Sequence, residues 1–272
     1  ETLDLGGKTL TFINAPFLHW PDSMFTYLKE DKVLFSCDYL GSHYCEPQMI
    51  DTEVTYPESY ESAFLGYYTA IFGPFKPYVL KGYEKIKDLD LEFIAPSHGP
   101  VLTKGCQLEK AIEKYIQWST PVQRDHKLIP LFYCSAYGNT KKLAQEIAAG
   151  ILEVLPDAEV PVYNIIDHDM EVLGGVLNDS DAFLIGSPTL NRDAVPPVYV
   201  LLAHADAVNI AKRPVGVFGS YGWSGEAAAN IKARLASLKT KVFEEDCRVI
   251  FVPSQDDLGK AREYGKAFAA SL

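Results

Sequence analysis

From residue 128 onward the chain alternates between short apolar runs and amphipathic runs, and that alternation admits few folds. The apolar runs fall near Ile129–Cys134, Glu159–Asn164, Ala182–Gly186, Val215–Gly219 and Arg248–Val252. Helical periodicity fills the intervals near Thr140–Leu155, Pro197–Ala205, Glu226–Leu238 and Asp256–Leu272, with a weaker turn near Met170–Leu177. Apolar strands joined by crossover helices predict an α/β domain, a doubly wound five-stranded parallel sheet. Ligands of such sheets sit at the carboxyl ends of the strands, near the point where strand order reverses.

Three polar, glycine-bearing stretches lie at those ends. The first is Ser135-Ala136-Tyr137-Gly138-Asn139-Thr140, between the first strand and its helix. A helix start offers unpaired N–H groups and the positive end of the dipole. Ser135, Asn139 and Thr140 add side-chain donors, and Gly138 permits close backbone approach. A phosphate dianion fits there. No lysine lies inside the turn, as a Walker-type nucleotide site would require, so the expected ligand is FMN rather than ATP. An ordinary capped strand–helix turn is the other reading of this stretch. The second is Ser187-Pro188-Thr189-Leu190-Asn191, and the third Ser220-Tyr221-Gly222-Trp223-Ser224-Gly225. Leu190 and Trp223 supply flat apolar surface for an isoalloxazine ring, while Asn191 and the backbone of the third loop supply polar groups for its pyrimidine edge.

The first 120 residues have a different pattern. A hairpin turns at Gly6-Gly7, with short strands over Ser23–Leu28, Lys32–Phe35 and Leu91–Ala95. Helical segments are expected over Glu58–Ile71, Pro77–Lys87 and Cys106–Trp118. A polar stretch over 121–127, with Pro121, serves as the linker, dividing the chain into residues 1–120 and 128–272. His19, Asp38 and His98 stand out in proline-fixed loops or at strand ends, and imidazole plus carboxylate is the donor set of a non-haem di-iron centre. Read alone, such histidines are as well explained as surface residues, and Asp38 as a turn former.

The chain has 36 acidic and 25 basic residues, a net charge of −11, which disfavours nucleic acid and anionic membranes as partners. Five scattered cysteines without a CxxC pair predict neither a disulfide framework nor a zinc knuckle, and point to a reducing cytoplasm. No run is long and apolar enough to predict a transmembrane helix.

With these motifs in view, residues 127–272 resemble the flavodoxin family, through Ser135–Thr140 as phosphate loop and the Ser187–Asn191 and Ser220–Gly225 loops as flavin-flanking segments. His19-Trp20-Pro21-Asp22-Ser23-Met24, Asp38 and Ser97-His98-Gly99-Pro100, followed by a flavodoxin-like half, resemble the flavodiiron proteins, or A-type flavoproteins. The resemblance implies that residues 1–120 form the C-terminal part of a metallo-β-lactamase-like αββα domain. It also implies that His19 and His98 each bind one iron while Asp38 bridges both, His43 lying outside the ligand set. The implied activity is electron transfer from FMN to a di-iron site that reduces O2 or NO. The implied partners are a rubredoxin-like or flavin-reductase electron donor, and a second copy of the chain in a homodimer or homo-oligomer. The family's His-x-Glu-x-Asp-His cluster occurs nowhere in these residues, which leaves each iron about two protein ligands where three or four are usual. The expectation is therefore a flavodiiron protein lacking the N-terminal half of its lactamase-like domain. Another segment or a separate chain would then complete the site. The alternative is an FMN electron-transfer module without a functional metal site.

Overall fold

The computed structural model describes residues 1–245 and 247–272. The chain divides into two compact units, Glu1–Pro121 and Val122–Leu272.

The first unit is built on one six-stranded sheet in the order β1 (Thr2–Asp4), β2 (Thr9–Asn14), β3 (Met24–Leu28), β4 (Val33–Phe35), β5 (Phe93–Ala95), β6 (Leu102–Thr103). Neighbours are antiparallel except β4 and β5, which run parallel because α1 (Pro57–Tyr67) and α2 (Lys76–Ile86) form the crossover between them. Side chains alternate across the sheet. Phe25, Tyr27, Leu34, Ile94 and Leu102 point to one face, where they are buried with Tyr60, Phe64 and Tyr67 of α1, Val79 and Ile86 of α2, and Leu108, Ala111 and Tyr115 of α3 (Leu108–Ser119). The opposite face carries Leu3, Met24, Phe35 and Phe93, each exposed. The helical segment expected over Glu58–Ile71 is not one α-helix: α1 gives way at Tyr68 to a π-helical turn through Phe72, then a 3-10 turn over Gly73–Phe75. Pro74 explains the interruption, since it cannot donate to the helical ladder.

The second unit is the doubly wound sheet. Parallel strands β8 (Val162–Asn164), β7 (Leu131–Tyr133), β9 (Phe183–Leu190) and β11 (Pro214–Tyr221) lie side by side in that order. The fifth position, on the far side of β11, is shared end to end by β12 (Lys241–Val242) and β13 (Cys247–Ile250). A short β10 (Asp193–Ala194) folds back antiparallel on β9. Helices α4 (Asn139–Val154), α5 (Met170–Asp179), α6 (Pro196–Ala203), α7 (Ala227–Ser237) and α8 (Gln255–Ala270) cover both faces. The central strands are accordingly apolar on both sides, with every residue of β7 buried.

Of the stretches expected to be loops, Ser187–Asn191 is largely strand and Ser220–Gly225 is strand at its first two residues. β9 runs on through Ser187-Pro188-Thr189 to Leu190, and β11 through Ser220 to Tyr221. Beyond the Gly186 pairing with Tyr133, β7 has ended, so Pro188 lies where the ladder has a neighbour on one side only, the setting in which a strand tolerates proline. Asn191 and Arg192 then form a two-residue hairpin tip, with φ of 52° and 61°, the left-handed pair of a type I′ turn.

Candidate functional site

Two groups of side chains converge, one in each unit. In the second unit the carboxyl ends of β7, β9 and β11 lie adjacent, and the three predicted stretches gather there. Gly138 is the N-cap of α4 and adopts φ 81°, a left-handed turn that no other residue type holds as cheaply. Having no side chain, it leaves the first turn of α4 uncapped by its own N-cap residue. Ser135 Oγ accepts from Lys141 N–H at 3.4 Å, at the long end of hydrogen bonding. A sixteen-residue helix therefore presents its N-terminus at the strand ends with weakly held donors, which suits an anion.

The structure distributes the predicted donors unequally. Thr140 is fully buried and its hydroxyl pairs with Ser220 Oγ at 2.9 Å, tying the first stretch to the third. Ser187 is buried too, donating to Pro188 O and accepting from Val195 N–H. Thr189 Oγ1 accepts from Ala227 N–H at 3.4 Å, linking the second stretch to α7. Ser135, Gly138 and Asn139 are half-buried, while Ala136 and Asn191 are exposed. Tyr137 and Trp223 are each 90% exposed and Leu190 is 50% exposed. Large apolar side chains left this open at strand ends are suited to a flat ring rather than to a protein core.

Asp193 holds the hairpin in place. Its Oδ1 accepts from Tyr199 Oη at 2.5 Å, from Asn230 Nδ2 at 2.8 Å and from Ala194 N–H at 2.7 Å. These bonds, Tyr199's first, lower the Asp193 pKa, and burial together with the same carboxylate pushes the Tyr199 phenol up to about 12. Asp193, Tyr199 and Asn230 had no signal in the sequence, since none lies in a glycine-bearing stretch. Cys134, next to the Ser135–Thr140 turn, is buried, and burial pushes its thiol up to about 11.

In the first unit, His19 Nε2 lies 3.3 Å from Asp38 Oδ2 and His98 Nε2 lies 3.4 Å from Asp38 Oδ1. The two imidazoles thus face opposite oxygens of one carboxylate. Three turns create this arrangement. Trp20 O accepts from Phe17 N–H, and Ser23 Oγ accepts from Trp20 N–H, closing the loop that carries His19. Ser36 Oγ donates to Tyr39 O at 2.6 Å, closing the turn around Asp38. Cys37 O accepts from Ser97 N–H and His98 O accepts from Ser42 N–H, docking the His98 turn against it. The Tyr67 ring packs 5.9 Å from His98 and 4.6 Å from His43, and Phe72 stands edge-on to His19 at 6.3 Å. Burial, then the nearby Asp38 charge, pushes the Tyr67 phenol far above its ordinary range. Tyr67 was not legible beforehand; it is one aromatic among several in α1. A pocket of about 500 Å³ opens beside His98, lined by Ser42, His43 and Glu46 among others.

The donor chemistry suits a carboxylate bridge between two metal ions, one imidazole to each. The number of donors does not complete the site: among the described residues there is no group of three or more His, Cys, Asp or Glu disposed to hold a metal ion.

The family model described as ODP family beta lactamase matches residues 1–99, and the one described as Flavodoxin matches residues 131–265. Flavo-diiron protein FprA2 of Clostridium acetobutylicum is 52% identical over 273 residues, covering 100% of this chain and 68% of its own length. The anaerobic nitric oxide reductase flavorubredoxin of Aeromonas hydrophila is 37% identical, over 99% of this chain and 54% of its own. Among solved structures, rubredoxin oxygen:oxidoreductase from Desulfovibrio gigas superposes with a TM-score of 0.66 at 27% identity, over 100% of this chain and 67% of that one. The chain thus spans between 54% and 68% of the length of these relatives. With a flavodoxin-type sheet following a lactamase-type sheet, and a half-identical relative matched along the whole chain, this protein belongs to the flavodiiron family.

Proposed function

We propose that the chain is an FMN-binding redox flavoprotein of flavodiiron type. One observation carries the reading: a helix N-terminus that its N-cap Gly138 leaves uncapped and three exposed large side chains, Tyr137, Leu190 and Trp223, belong to adjacent strand ends. FMN bound there supplies a one- or two-electron carrier. The backbone N–H groups of Asn139 and Thr140, with the side chains of Ser135 and Asn139, would hold its phosphate. The Thr140–Ser220 bond keeps the phosphate turn and the third loop at a fixed spacing. Leu190, Tyr137 and Trp223 would offer apolar surface to the ring, and Ser187–Asn191 with Ser220–Gly225 would offer polar groups to its edge.

In the family role, FMN would supply electrons and a di-iron site would supply the reduction of O2 to water or NO to N2O. His19 and His98 would each offer one imidazole ligand there, and Asp38 would offer the carboxylate they share. This role is complete only if the remaining ligands come from another segment or from a separate chain carrying the other half of the lactamase-like domain. The exposed Leu3, Met24, Phe35 and Phe93 face is the surface such a half would cover. A rubredoxin-like or flavin-reductase donor feeds the flavin, the assembled form is an oligomer, and the five free cysteines suit a cytoplasmic setting. Among the described residues no helix is long and apolar enough to cross a membrane.

A second reading, an FMN electron carrier without metal, is favoured by the incomplete donor set. Titration of apoprotein with FMN, iron analysis, and rubredoxin-coupled O2 and NO consumption separate the two. FMN uptake with iron near two per chain and gas consumption supports the reductase. FMN uptake without iron or gas consumption supports the carrier. Failure to bind FMN removes both.

A further inference from the structure

The three loops do not account for everything that shapes the flavin site. β11 extends past its pairing with β9, so that its last residue, Tyr221, is paired with Ile250 of β13 instead. Immediately beyond β13, Phe251 N–H donates to Tyr221 O at 2.8 Å, and Phe251 adopts φ 55°. This left-handed turn lays the Phe251 ring over Gly222. A Cβ added at Gly222 would stand 3.0 Å from Phe251 Cε1, so the ring occupies the space that a side chain at 222 would take. At the other end of the loop, Arg248 Nη1 donates to Gly225 O at 3.4 Å, and Gly225, with φ 74°, packs against the Tyr221 ring. The loop is thus gripped where it leaves β11 and where it enters α7, by two residues of the final strand and its turn. Between those grips stands Trp223.

Phe251 is a poor choice for stability alone. A bulky residue at positive φ is strained, and this one is 61% exposed to water. Both costs are explained if the ring serves to hold Gly222. We infer that Phe251, assisted by Arg248, is a positioning residue of the cofactor site, setting where Gly222 and Trp223 meet the flavin ring. The inference rests on the FMN reading above. It adds a fourth element, the final strand, to a site otherwise assigned to the ends of β7, β9 and β11. A loop held at fixed distance from the ring discriminates between its oxidised and reduced forms, which differ in charge and hydrogen bonding at the polar edge. Loosening the grip therefore changes affinity and potential together.

The test compares wild-type, Phe251→Ala, Phe251→Tyr, Phe251→Gly and Arg248→Gln apoproteins in FMN titrations followed by flavin fluorescence, with midpoint potentials measured on the loaded forms. Phe251→Ala should weaken FMN binding about tenfold, the loss of one well-placed aromatic contact, and shift the midpoint potential. Phe251→Tyr should restore both. Thermal unfolding should change little, because the ring is mostly exposed. Arg248→Gln should move affinity in the same direction by about threefold, and it provides the readout if Phe251→Ala does not fold. Wild-type affinity and potential in Phe251→Ala overturn the inference. So does wild-type behaviour of Phe251→Gly, which relieves the backbone but removes the ring. Wild-type apoprotein that takes up no FMN fails a different claim, the flavin reading itself, and the inference falls with it.

Discussion

Replacing Gly138 by alanine isolates the contribution of one backbone conformation to the cofactor site. Gly138 holds φ 81° at the head of α4, and a Cβ there meets no heavy atom within 4 Å. The packing cost is therefore nil, and the whole effect is conformational. Placing an L-residue in the left-handed region costs about 1–2 kcal/mol. That penalty divides between two readouts. If the apoprotein keeps the turn, it appears as lost stability. If the turn relaxes, the N-terminal N–H groups of α4 swing away from the phosphate, and the same penalty appears as lost FMN affinity. The sum of the two losses should be about 1–2 kcal/mol, corresponding to an affinity loss of about five- to thirtyfold if it falls wholly on binding. Gly138→Asn should lose less, since asparagine tolerates the left-handed region better. The assays are urea unfolding of the apoprotein and FMN titration on the same preparations. A sum near zero would show that the left-handed turn is no part of the site. A sum well above 2 kcal/mol, beyond the conformational term, would show that the side chain meets something, contrary to the open space at this position.

Asp51 is buried and accepts from Thr103 N–H at 2.8 Å, Thr103 Oγ1 at 2.6 Å and Gln107 N–H at 3.0 Å, so Asp51→Ala should cost about 3–5 kcal/mol in urea unfolding of the first unit while Asp51→Asn, still an acceptor, costs far less. Equal losses would refute that account. The buried Cys134 thiol, held up at about 11 by burial, should resist thiol reagents at pH 8 while exposed Cys45 reacts. Because its folded pKa lies above the unfolded value near 9, Cys134 stabilises the fold below pH 9 and loses that contribution as pH rises towards 11, an effect Cys134→Ala should abolish. Asp193 has the opposite sign: its pKa is lowered from 3.8 by Tyr199 and then Asn230, so its contribution is present above pH 3.8 and is lost as pH falls through the lower folded value. The difference in thermal midpoint between wild type and Asp193→Asn should therefore shrink on acidification, and a constant difference would count against the clamp.

Much of the second unit was legible because its signals are local. Apolar runs five or six residues long, separated by amphipathic periods, leave little but a parallel sheet with helices on both faces, and the rule that ligands gather at strand ends then located the Ser135, Ser187 and Ser220 stretches. The extent of β9 was not legible, because Ser187-Pro188-Thr189 has the composition of a loop. It becomes strand only where β11 lies alongside and β7 has already ended. The two-residue β12 was missed for a related reason: its pairing with Pro214 and Val215 exists only in the folded sheet. In the first unit the histidines and Asp38 could be picked out by residue type. That their side chains meet on one carboxylate depends on three turns far apart in sequence.

What the amino-acid order determined by itself was the main helices and parallel strands and the residue types that stand at the strand ends, because periodicity, capping and turn composition act over a few residues. What only the tertiary structure decided was which donors remain free. Thr140 turns to Ser220, Asp193 clamps the hairpin to α6 and α7, and Phe251 reaches Gly222. Each is a contact between distant segments, and such contacts are set by how layers pack, which no short window of sequence records.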